Sequence, residues 1–158
     1  MYTKTDIRTK IATDRFDVRS SGILIQKGHI LVSTEDDGTQ TLPGGAVKTG
    51  ESSQAAVIRE LKEESGLDVK TKDLMAVIEN FFVYEGDDYH QVLFLYHLQT
   101  VTDSQTLPII SGIEKTITLS WLDLASKKLD LRPPVLNEVV TNHLANQATS
   151  FQHLIYHD

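Results

Sequence analysis

Apolar residues fall into short runs along the chain, and their spacing changes character twice. Gly22 to Ile25 and His29 to Val32 are compact and rich in β-branched residues, and the polar Gln26-Lys27-Gly28 between them predicts a hairpin. Leu74 to Tyr84 and His90 to Leu98 predict two further strands, joined by Glu85-Gly86-Asp87-Asp88-Tyr89. Ile117 to Leu122 predicts another, and Glu35-Asp36-Asp37-Gly38 reads as a turn. Between Ser52 and Ser65 the period becomes helical: Val57, Ile58 and Leu61 share one face, with Thr49 or Ser52 available as N-cap. Gly66 is placed to end that helix in a left-handed conformation, with Leu67 folding back onto it. A second helix is predicted after Pro133-Pro134, where Val135, Leu136, Val139, Val140, His143 and Leu144 form a stripe. Strands, helix, strands, helix is the order of an α/β fold with a mixed sheet between helices.

The chain has 158 residues, which predicts a single domain over 1–158 with a sizeable core. Its net charge of −7 argues against DNA, RNA or anionic lipid as partners, since polyanions reward clustered Lys and Arg. A small phosphate ligand carried by metal ions remains compatible with that charge. Cysteine is absent, which removes disulfides, thiolate metal sites and cysteine nucleophiles, and fits a reducing compartment. No apolar run at the start resembles a signal peptide and none later is long enough to span a bilayer, so a cytoplasmic location is expected.

The helix from Ser52 carries an electrostatic conflict. Glu60, Glu63 and Glu64 stand at i, i+3 and i+4, so their carboxylates share a patch beside the apolar stripe. Each like-charge pair costs a few tenths of a kcal/mol, and Arg59, four residues before Glu63, offsets part of it. Hard oxygen ligands on adjacent turns suit Mg²⁺ or Mn²⁺, which keep waters for exchange with phosphate oxygens. Taken alone, such a run is more often a solvated acidic face.

The surrounding spacing separates the two readings. Gly45, Glu51, Arg59, Glu60, Leu61, Glu63, Glu64, Gly66 and Leu67 fill every specified place of a pattern: glycine, five residues, glutamate, seven residues, Arg-Glu, aliphatic, any, Glu-Glu, any, glycine, aliphatic. A chance match at a given start is on the order of 10⁻⁹ from residue frequencies. The segment resembles the signature of the Nudix hydrolase family. Leu42-Pro43-Gly44-Gly45 and Arg19 extend the likeness, whereas Thr41 stands where many relatives carry an aromatic residue.

The resemblance implies a Nudix-like α/β/α sandwich and a divalent-metal-dependent hydrolase of diphosphate linkages in nucleoside diphosphate-X compounds, acting by water attack on phosphorus. It implies Mg²⁺ or Mn²⁺ held by Glu60, Glu63, Glu64 and the Gly44 backbone carbonyl. Arg59 would orient the carboxylates and Glu51 would support the loop as an acceptor. The general base is a box glutamate or an acidic residue from a later loop, with Glu114 the first loop candidate and Glu85, Asp87 and Asp88 further ones. Arg19 and Tyr84 are candidate substrate contacts, and Phe81 or Phe82 could stack on a base. Tyr84 lies seventeen residues after Leu67, a spacing resembling dinucleoside polyphosphate hydrolases, and leans the substrate toward those compounds or nucleoside triphosphates. The proline that marks many ADP-ribose hydrolases is missing around Phe82, and His90 is expected to line a sheet edge. A homodimer is common among similar proteins. The alternative reading is a non-catalytic Nudix-fold domain that senses nucleotides.

Overall fold

The computed structural model describes residues 4–112, 117–146 and 150–158. In chain order the elements are β1 (Arg8–Ile11), β2 (Asp14–Gln26), β3 (His29–Glu35), β4 (Gln40–Thr41), β5 (Gly44–Ala46), α1 (Ser53–Ser65), β6 (Val69–Tyr84), β7 (Asp87–Thr100), β8 (Ile117–Asp123), α2 (Val135–Leu144) and β9 (Gln152–His157). Strands β4-β3-β2-β7-β6-β9 lie side by side, with β1 and β5 on β2 and β8 on β3. The sheet is mixed: β2 runs parallel to β7 from Asp14 opposite Asp88 to Leu24 opposite Leu98, and β9 runs parallel to β6, while the other pairings are antiparallel.

Strand alternation sends neighbouring side chains to opposite faces and so builds two cores. Ile23, Ile30, Ala76, Ile78, Leu93 and Leu95 pack with Leu136, Val139 and Val140 of α2. Leu24, Leu31, Tyr96 and Leu98 pack with Val57 and Leu61 of α1. The helices thus cover opposite faces, the α/β/α arrangement expected from the sequence. Among the described residues no helix is long and apolar enough to cross a membrane.

Three departures from the expected elements have local causes. The five-residue connection expected after Tyr84 is only Glu85-Gly86, with φ of 51° and 81°. Two left-handed residues match the twist of the flanking strands, so pairing resumes at Tyr84 opposite Asp87 and absorbs Asp88 and Tyr89 into β7. His90 consequently lies in an interior strand between β2 and β6, not at a sheet edge, with its ring stacked on Phe81 at 4.4 Å. The double glycine, which reads as a turn, is the short strand β5.

β2 and β3 pair only at Ile25 opposite Ile30 and Gln26 opposite His29. Beyond that point they separate, and β5 takes the edge of β2 at Arg19, Ser20 and Ser21. This substitution of one partner strand for another places the glycines beside α1.

Candidate active site

Helix α1 is fixed at both ends. Ser52 Oγ accepts from the Ala55 amide at 3.1 Å, and Gly66, at φ 74°, donates its amide to the Lys62 carbonyl. The helix is also tied to β2 and β7: Ser20 Oγ donates to the Ser53 carbonyl at 2.7 Å, and the Ser53 and Tyr96 hydroxyls are bonded at 2.7 Å. These ties set the rotation of the helix, and the rotation turns Glu60 and Glu64 toward β5.

The fit to the glycines is close. A Cβ on Gly45 would stand 2.4 Å from the Glu60 carboxyl carbon, and one on Gly44 would stand 2.1 Å from the Ser20 carbonyl oxygen. Gly44 donates its amide to Glu64 Oε2 at 3.3 Å. Glu64 is only 8% exposed, whereas the Glu63 side chain is 53% exposed.

Arg59 organises the carboxylates. Its Nε and Nη2 grip the two oxygens of Glu51 at 2.7 and 3.0 Å, and Nη2 also donates to the Ala46 carbonyl at 3.0 Å. Nη1 reaches Glu60 Oε1 at 2.7 Å and Glu63 Oε2 at 3.2 Å. Glu51 further accepts from the Lys48 amide at 3.0 Å, closing the loop between β5 and α1. The guanidinium is made still more basic, first by its bonds to Glu51.

That grip has a consequence for pH. The hydrogen bonds from Arg59 hold the Glu51 carboxyl below the ordinary glutamate range, against the opposing effect of burial. A lowered carboxyl contributes stability that is complete above its unfolded value of about 4.3 and is lost as pH falls through the folded value. Melting temperatures of wild type and Glu51→Gln should therefore differ most near neutrality and converge below about pH 4. A gap that widens in acid would contradict this linkage.

The other anticipated residues are placed as follows. Arg19 is the register partner of Ala46, and strand alternation sends it to the α2 face, opposite to Ser20 and α1. Tyr84 is at the tip of the β6–β7 hairpin, 53% exposed, beside the Tyr89 ring, and Glu85 pushes its phenol pKa up. Gly45 is level with Ser20 and Phe94, and Tyr84 is level with Asp87, so seven residues, about 23 Å of strand, separate Tyr84 from the glycines. Phe81 stacks between His90 and His157, and Phe82 stacks on Tyr89. Asp87 is paired with Arg15 and Lys10, and these bonds hold it firmly ionised. Glu114 lies outside the described residues.

One participant escaped sequence reading. Gly112 presses on the end of α1 so closely that a Cβ there would stand 1.4 Å from the Glu64 carbonyl oxygen, and the Ser111 amide bonds the Ser65 carbonyl at 2.9 Å. Nothing local in the sequence signals a contact between residues so far apart.

Comparison with known proteins bears directly on this arrangement. The family model described as the NUDIX domain matches residues 11–139, spanning both the glycines and the acidic helix. The chain belongs to the Nudix family. A stretch of 40 residues is 52% identical to the ADP-ribose pyrophosphatase of Methanocaldococcus jannaschii, covering 25% of this chain and 24% of that relative. The match thus spans about a quarter of the relative's length. The crystal structure of an ADP-ribose pyrophosphatase from Streptococcus suis superposes with a TM-score of 0.56 at 20% identity, covering 89% of this chain and 98% of that one. A UDP-X diphosphatase structure gives 0.61 at 17% identity, covering 91% and 69%. At these identities the structural likeness establishes the Nudix fold.

Nudix hydrolases generally use divalent metals, and the residues present suit one by their chemistry. Glu60, Glu63 and Glu64 are hard oxygen donors, and Arg59 engages Glu60 through Oε1 and Glu63 through Oε2. Among the described residues no three His, Cys, Asp or Glu side chains are already gathered as a metal site. Arg59 bonds Glu60 and Glu63, while Glu64 meets the Gly44 amide.

Proposed function

We propose that this Nudix protein hydrolyses the diphosphate linkage of nucleoside diphosphate-X compounds with the help of Mg²⁺ or Mn²⁺. The observation that carries the reading is the placement of Glu60 and Glu64 against the β5 glycines, with Arg59 holding Glu51, Glu60 and Glu63 together. The names of the relatives, ADP-ribose pyrophosphatase and UDP-X diphosphatase, support that substrate class.

In this reading Glu60, Glu63 and Glu64 hold the metal, and the Gly44 carbonyl adds a ligand from the loop. A bound divalent cation neutralises the diphosphate and makes water a better nucleophile. Arg59 keeps the carboxylates from splaying under their own repulsion and is itself held by Glu51. Glu63, whose side chain is 53% exposed, would take the proton of the attacking water. Water attacks one phosphorus, the bridging oxygen leaves with the other phosphate, and two phosphorylated products separate. Tyr84 lies too far along the sheet to meet the diphosphate, and suits only the distal end of an extended substrate.

The test is incubation with ADP-ribose, nucleotide sugars, dinucleoside polyphosphates and nucleoside triphosphates, followed by chromatography. Cleavage of the diphosphate-X compounds into a nucleoside monophosphate and a second phosphate is expected, stopped by EDTA and restored by excess Mg²⁺ or Mn²⁺. Recovery of every compound intact would refute it and favour a nucleotide sensor.

A further inference from the structure

The face of the sheet that carries α1 extends beyond the core beneath that helix. The core holds Phe94, Tyr96 and Leu98 of β7. Toward the β6–β7 hairpin the same face continues through two further rows. In the first, Phe16 is opposite His90, His90 opposite Phe81, and Phe81 opposite His157. In the second, Ile11 is opposite Asp14, Asp14 opposite Asp88, and Asp88 opposite Val83. Between the rows lies a cavity of about 390 Å³ bordered by Phe16, Phe81, His90, Ile11, Asp14 and Asp88. It is separate from the carboxylate helix: Asp14 is six residues along β2 from Ser20, the partner of Gly45, or about 20 Å.

The aromatic row makes a fixed wall. The His90 ring stacks on Phe81 at 4.4 Å, His157 stacks on Phe81 at 4.6 Å, and Phe16 meets His90 edge-on at 5.2 Å. Each ring is held by the next, so the wall stands before any ligand arrives. At the outer end of the cavity, Ile11 and Val83 flank the two aspartates and are 71% and 63% exposed.

The aspartates set the charge of the site. Asp14 and Asp88 are directly opposed, and like charges in that relation destabilise a sheet. Neither makes an ion pair or a side-chain hydrogen bond among the described residues. The nearby cations are engaged elsewhere. Strand alternation sends Lys10 and Arg15 to the opposite face, where both meet Asp87, at 3.1 and 2.7 Å. Arg15 borders the cavity, but its guanidinium is held by that bond. An apolar wall and two uncompensated carboxylates therefore face one space.

We propose that this cavity binds a small organic cation, with a guanidinium or amidinium group between Asp14 and Asp88 and an apolar body against Phe16, Phe81 and His90. The volume falls in the range of small-molecule sites, which pair apolar walls with a few placed polar groups. A planar cation of this class carries N–H donors on more than one side, enough to serve carboxylates on two adjacent strands. It is also weakly hydrated, so it enters an aromatic-walled space more readily than an ammonium does.

Calorimetry at pH 8 with benzamidine and with benzamide, its neutral analogue of the same shape, tests the proposal on wild type, Asp14→Asn and Asp88→Asn. Benzamidine should bind wild type with a Kd below about 1 mM and at least about tenfold more tightly than benzamide. Each substitution should weaken it by about tenfold or more. Without ligand, both variants should melt no lower than wild type, because each removes a like-charge contact. Benzamidine binding no tighter than benzamide, binding unchanged in both variants, or none at about 5 mM overturns the assignment. Variants that melt well below wild type also overturn it, since the aspartates would then serve the fold. Agmatine should bind at least as tightly as a blocked tripeptide with arginine at its centre; the reverse order would replace the small molecule with an arginine of a partner chain. Glu64→Gln should bind benzamidine like wild type, so the result is independent of the hydrolase reading.

Discussion

Glu64→Gln is expected to lower kcat by about three orders of magnitude while leaving the fold intact. Glu64 is nearly buried where α1 meets β5, and one of its oxygens accepts the Gly44 amide at 3.3 Å. Glutamine has the same shape and retains an oxygen to accept that bond, so the contact between helix and strand survives. What disappears is a negative charge at a position where solvent cannot replace it. If Glu64 is a metal ligand as proposed, its carboxylate would contribute charge that an amide oxygen does not supply, and the proposed reaction would use that charge to hold a divalent cation against a diphosphate. Steady-state kinetics across Mg²⁺ concentrations, with the melting temperature as control, measures both parts. Turnover within tenfold of wild type at every Mg²⁺ concentration would remove Glu64 from the metal set.

Gly45→Ala should strike the carboxylate cluster directly. The added Cβ would lie 2.4 Å from the carboxyl carbon of Glu60 and 2.6 and 2.7 Å from its two oxygens, distances at which something must move. Glu60 cannot simply rotate away, because Arg59 Nη1 holds Oε1 at 2.7 Å and Arg59 is itself anchored on Glu51. Relief must come from shifting α1 or breaking the Arg59 bond, and either displaces a carboxylate from the cluster. Overpacking of this kind costs about 1–3 kcal/mol, and kcat/KM should fall about 100-fold. Thermal melting and kinetics on one preparation test the two together. A variant with unchanged activity would show that the close approach of Gly45 to Glu60 is dispensable.

The part of the site legible in the sequence is the part built from local geometry. Glu60, Glu63 and Glu64 fall on one patch because of the helical repeat, and Arg59 is bound to reach Glu63 one turn on. The cap at Ser52 and the stop at Gly66 are equally local. Long-range placement was not legible. Tyr84 is close to the box when counted in residues, yet β6 runs away from α1 and carries it about 23 Å off. Strand β5 hides behind a glycine pair, since glycine signals turns more often than strands, and only the departure of β3 from β2 leaves an edge for it to occupy. Strand β9 has only Leu154-Ile155-Tyr156 as an apolar run, too short to signal a strand by itself, and it pairs along the edge of β6.

The contact of Gly112 with the end of α1 has a consequence for the order in which the protein is made. The helix is complete in sequence at Ser65, but the residues that press on its last turn, Ser111 and Gly112, are synthesised nearly fifty positions later. A nascent chain emerging from the ribosome therefore carries its acidic helix for several seconds, at about 5–20 residues per second, before the segment that pins it exists. During that interval the last turn of the helix lacks the backbone contact that Ser111 and Gly112 bring to it.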